Sequence, residues 1–129
     1  MANVRLDLRS VAAAVAASGL AVGVALAIRF LLIEPQALGE TCQTFPSLWW
    51  CRVRLGFVVL FGAEAFGIAG LALAVLSFGA GRPRVAKGLA LVAMMMGAIG
   101  LVQYNTSLAA PGLLLAWVRM ARLGLVQKK

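Results

Sequence analysis

From Arg52 to Phe78 the chain reads RVRLGFVVLFGAEAFGIAGLALAVLSF, an apolar segment carrying one carboxylate, Glu64. A helix rises about 1.5 Å per residue and a bilayer's hydrocarbon core is about 30 Å thick, so roughly 20 predominantly apolar residues cross it. This segment exceeds that length, and the rest of the chain has the same character. With 63% apolar and only 12% charged residues and a mean hydropathy of +0.97, the composition lies outside what a soluble domain of this size keeps in water. The expectation is an all-α, single-domain four-transmembrane-helix bundle over residues 1–129, with spans at about 10–33, 52–78, 85–103 and 107–126 and both termini cytoplasmic.

The first span follows Arg5 and Arg9. A basic start, an apolar run and Ala25-Leu26-Ala27 together have the pattern of a cleaved signal peptide. However, Arg29 would follow the cut directly and apolar residues continue to Ile33, so a retained helix is expected. Gly19, Gly23 and Ala27 recur every four residues, the small-xxx-small spacing that lets helix backbones approach in lipid. Arg29 is expected to run its long side chain out to the headgroups. Glu34-Pro35 ends the span, because proline disfavours helix at the residue before it.

A polar loop follows, holding the only two cysteines, Cys42 and Cys51. They lack the C-x-x-C spacing of a redox motif, and the chain has no histidine to complete a metal site. A disulfide closing the loop in an oxidising compartment is the plain reading. Trp49 and Trp50 beside Cys51, and Tyr104 between the third and fourth spans, suit the membrane interface, where an aromatic ring is buried and its polar atom stays wet.

Glu64 lies roughly 18 Å from Arg52 along a helix, close to the bilayer midplane, and an ionisable group at that depth is a functional-site candidate. Ala63, Gly67 and Gly70 supply small residues for helix contacts on the same span. Gly79-Ala80-Gly81-Arg82-Pro83-Arg84 makes a basic turn, Met94-Met95-Met96 reads as flexible filling in a packed bundle, and Asn105 or Thr106 is placed to cap the last helix. In that helix Arg119 lies roughly 20 Å from its start, a depth similar to that of Glu64. Two readings stand side by side. Either Glu64 and Arg119 form an ion pair between the second and fourth helices, or Arg119 snorkels to the cytoplasmic face and Glu64 is neutral and hydrogen-bonded.

The net charge of +8 would suggest nucleic acid in a soluble protein, but the basic residues sit at the ends of apolar runs, where they read as topology signals. Arg82, Arg84, Lys87, Arg119 and Arg122 fall on the side of the N-terminal Arg5 and Arg9, and the cysteine loop falls on the other. The positive-inside rule then places the loop in the periplasm of a bacterial inner membrane. No nucleophile, metal cluster or phosphate-cradling loop can be assembled at credible spacing, so no catalytic, metal or cofactor-binding residue is assigned and an enzyme is not expected.

In length and span count the chain is similar to small multidrug transporters, whose essential glutamate belongs to the first helix; here it is in the second. Membrane disulfide-generating oxidoreductases also have four helices, but need paired redox cysteines that this chain lacks. The expected role is a non-catalytic accessory or scaffolding subunit of a larger membrane complex, or a self-associating protein, in contact with membrane lipids. The alternatives are a small ion-coupled transporter or channel component using Glu64, or a lipid- or quinone-binding protein.

Overall fold

The structure is a computed structural model that describes residues 8–103 and 105–126. The described residues form six α-helices. Helix α1 (Leu8–Ala27) continues as a π-helical turn, Ile28–Ile33. Then come α2 (Gln36–Thr44), α3 (Trp49–Gly62), α4 (Ala65–Gly79), α5 (Pro83–Val102) and α6 (Thr106–Val126).

Of the four expected spans, two or three have the length and apolarity of a crossing. Leu8–Ile33 and Pro83–Val102 are each long and apolar enough to cross a bilayer. A third crossing exists only if α3 and α4 count as one span, and these two are bent by 58° at a break. Helix α6 forms as expected but does not join them, because Arg119 and Arg122 interrupt its apolar run. The polar loop after Pro35 is also more regular than its sequence suggests. It folds into α2, with Thr41 and Thr44 turning their hydroxyls back onto the carbonyls of Ala37 and Glu40.

Helices α4, α5 and α6 pack on one another, and α1 lies mainly against α5. The core is made of small residues: Ala14, Ala74, Ala90, Ala93 and Ala116 surround Met94 and Met120. Backbones meet where side chains are absent. A Cβ at Gly70 would lie 3.0 Å from the Gly97 nitrogen, and one at Gly112 would lie 2.8 Å from the Leu71 nitrogen. Close approach of this kind is how helices gain van der Waals contact in lipid, where burial alone drives nothing.

Cross-links define two ends. At the basic end Lys87 Nζ donates to Ser10 Oγ (2.7 Å) and Arg119 Nε donates to the Ser77 carbonyl (2.9 Å). At the other end Arg29 Nη1 donates to the Val102 carbonyl (3.0 Å), and Gln103 Nε2 reaches the Ala25 carbonyl (3.5 Å). The disulfide between Cys42 and Cys51, with Cα atoms 5.4 Å apart, ties α2 to the start of α3 there.

The face that α1 turns to the bundle is not the one that carries Gly19, Gly23 and Ala27. Ala14, Ala21 and Ala25 are buried, whereas Gly19, Gly23 and Ala27 are exposed and a Cβ at either glycine would meet nothing. An alanine-rich helix offers small residues on more than one side, so spacing alone does not choose between them. Nor does Arg29 run free to the headgroups. Besides the Val102 carbonyl it holds Glu34, Nε to Oε1 at 2.7 Å.

Candidate functional site

The break between α3 and α4 concentrates the unusual features. Glu64 has φ 56° and ψ 21°, the only positive φ at a non-glycine among the described residues. A left-handed L-residue costs roughly 1–2 kcal/mol, and such strain persists only where the surroundings impose it. Gly62 and Ala63 precede it, and Ala63 N–H turns back to Val59 and Phe61 carbonyls, closing α3. The Glu64 carbonyl then accepts from Ile68 N–H at 3.0 Å and opens α4. The first turn of α4 leaves N–H groups without helical acceptors, as every helix start does.

Glu64 is exposed, and among the described residues its carboxylate makes no hydrogen bond or ion pair. Helix α4, whose 15 residues rise about 22 Å, separates it from the basic end of the bundle. Bent 58° away, the 14 residues of α3 add about 11 Å along that axis, so the two together have the length of a crossing if they count as one span.

Arg119 is not its partner. The arginine donates to Ser77, in the last turn of α4, and stands over the Phe78 ring at 5.3 Å, with Arg122 at 6.0 Å from the same ring. Glu64 precedes the first residue of that helix, so the two groups are about 20 Å apart along its axis. The guanidinium answers carbonyls at a helix C-terminus, where a cation is favoured by the helix dipole. A sequence read for opposite charges has no sign of that acceptor.

A second group at the break was legible only in part. Asn105 lies immediately before α6, where its carbonyl accepts from Ala109 N–H at 3.3 Å, but its side chain caps nothing. It is 6% exposed, and neither Nδ2 nor Oδ1 has a hydrogen-bond partner. Instead the amide lies against the first turn of α4: a Cβ at Gly67 would come within 2.6 Å of Nδ2. Thus Gly67 and Gly70 face neighbours within the bundle, whereas Ala63 is exposed at the break.

Trp49 and Trp50 open α3 beside the disulfide, exposed and edge to face with ring centroids 5.7 Å apart. Tyr104, the third expected anchor, lies outside the described residues. Most of α3 turns apolar side chains outward, among them Val53, Leu55, Val59 and Leu60, and it touches little besides the start of α4 and the π-helical turn. The arrangement therefore has a strained break, an unpaired carboxylate and an unmatched buried amide near the junction of α4 and α6, with an apolar helix swung clear of the bundle. Comparison of the chain with protein-family models, with curated proteins and with solved structures returns no match.

Proposed function

We propose that the protein is a non-catalytic integral-membrane subunit whose elbow between α3 and α4 is covered by a helix of a larger membrane complex or of a second copy. The observation that carries this reading is Glu64, exposed and unpaired at a backbone break inside an otherwise apolar span. Irregular backbone at membrane depth is tolerated where protein or a water-filled cavity covers it, and an unpaired charge there costs about 3 kcal/mol or more. The exposed apolar face of α3 extends the same surface. The basic end faces the cytoplasm of a bacterial inner membrane in this reading, and the disulfide end faces the periplasm.

The test is native mass spectrometry of the protein in nanodiscs, with photo-crosslinking groups placed at Leu60 in α3 and at Leu114 in α6. A stoichiometric partner or second copy, crosslinked at Leu60 and absent from Leu114, is expected. A lone monomer whose Leu60 probe captures only lipid would sink the proposal.

A small carrier is the second reading, favoured by the interrupted helix itself. Discontinuous membrane helices supply ion and substrate sites at their broken ends. There Glu64→Gln is expected to assemble normally and abolish proton- or cation-coupled uptake in proteoliposomes, and unchanged uptake would remove it.

A further inference from the structure

At the disulfide end, α2 and the first half of α3 flank an open cavity of about 330 Å³. Its polar end is lined by Arg52, Arg54 and Gln43, its apolar end by Leu55 and Val58, and the Cys42–Cys51 bridge closes one wall. No carboxylate lines it. Cys51, Arg54, Leu55 and Val58 recur every three or four residues, so they share one face of α3, and the cavity runs about 10 Å from charge to hydrocarbon.

The two arginines differ in what they have left to give. Arg54 is fixed, with Nε donating to the Leu32 carbonyl (3.2 Å) and Nη2 to the Ile33 carbonyl (3.0 Å), where the π-helical turn ends. Guanidinium has five N–H donors, so three remain. Gly39 lies beside this side chain, and a Cβ there would make an ordinary contact with Nη2 at 3.5 Å. Arg52 is exposed and, among the described residues, makes no hydrogen bond or ion pair. Two cations with spare donors lining one cavity, a lining without a carboxylate, and apolar side chains further along α3 match a phosphate that carries hydrocarbon. Planar guanidinium forks suit phosphate oxygens in particular.

We infer that this cavity is a binding site for an anionic glycerophospholipid, with the headgroup phosphate held by Arg52 and Arg54 and an acyl chain descending past Leu55 and Val58. Trp49 and Trp50 stand at the same end, as interfacial aromatics do. The site is independent of the elbow at Glu64, and either proposal can fail alone.

The experiment uses the full chain in nanodiscs of phosphatidylcholine and phosphatidylglycerol, with retained lipid read by native mass spectrometry. Wild-type protein is expected to keep phosphatidylglycerol in preference to phosphatidylcholine. Arg52→Gln, an exposed position, is expected to reduce retention by about tenfold, the loss of a charge-assisted hydrogen bond, and Arg52→Lys to recover part of it. Val58→Trp, which fills the apolar end, should also release the lipid, while Leu114→Trp on the exposed face of α6 should not. Added inorganic phosphate is expected to leave the lipid in place. Equal retention of both lipids, no loss in Arg52→Gln or Val58→Trp, equal loss in Leu114→Trp, or displacement by inorganic phosphate each overturns the assignment.

Discussion

Arg119 and Glu64 illustrate what a single residue's chemistry shows in a sequence and what it hides. Their charges and depths suggest a pair, yet the arginine's acceptor is the Ser77 carbonyl, a group every residue carries and composition cannot flag. Arg119→Gln is expected to destabilise the folded protein by about 1–2 kcal/mol, from lost capping of α4 and lost contact with Phe78. In a double-mutant cycle with Glu64→Gln, unfolding in detergent should give a coupling energy below about 0.5 kcal/mol. A larger coupling would restore the ion pair. Asn105 shows the converse case. Its place in an uncharged turn was readable as a cap, but the amide is buried against Gly67 without a partner. Gly67→Ala is expected to cost about 1–3 kcal/mol by overpacking. The same substitution in an Asn105→Ala background should lose most of that penalty, because the atoms in the way are gone. Equal losses in both backgrounds would show that the clash lies elsewhere.

At the scale of elements, the long apolar helices α1 and α5 were legible because lipid imposes a length and a composition. The division of Arg52 to Phe78 into α3 and α4 was not. Gly62-Ala63-Glu64 contains no proline and lies within a long apolar stretch, which carries no mark of a change in backbone direction. Helix α2 was hidden for a simpler reason, its polar composition. It is held by local bonds and by the disulfide rather than by an apolar face in the core, since none of its residues is buried. Reduction should therefore act locally. A disulfide closing a loop of this size contributes roughly 2–3 kcal/mol by restricting the unfolded chain. Hydrogen exchange after reduction is expected to quicken in α2 and the first turn of α3 and to remain slow in α5. Quickening throughout α5 would mean that the bridge holds the whole bundle.

For the whole molecule, charge asymmetry and cysteine placement in the sequence both pointed to two unlike ends, and the cross-links separate those ends in space. The number of crossings was less legible, because hydropathy counts apolar residues and does not see a bend of 58°. Helix α6 runs the length of the bundle: Gly112 meets Leu71 and Arg119 meets Ser77, so it descends parallel to α4 toward the basic end. A protease site in the Ala80 to Arg82 turn and one appended after Lys129 are thus expected to be cut from the same side of a sealed vesicle. A site at Ser47 should be cut from the opposite side. Cleavage of the first two from different sides would mean that α6 does not return to the basic end.

If α3 and α4 count as one span, the elbow between them gives the protein a different cross-section in each leaflet. With 14 residues inclined at 58°, α3 reaches about 18 Å sideways from the bundle. The leaflet at the disulfide end must give up more area than the leaflet at the basic end. The molecule is in that sense a wedge, and it fits with least packing defect where the membrane bulges toward its disulfide end.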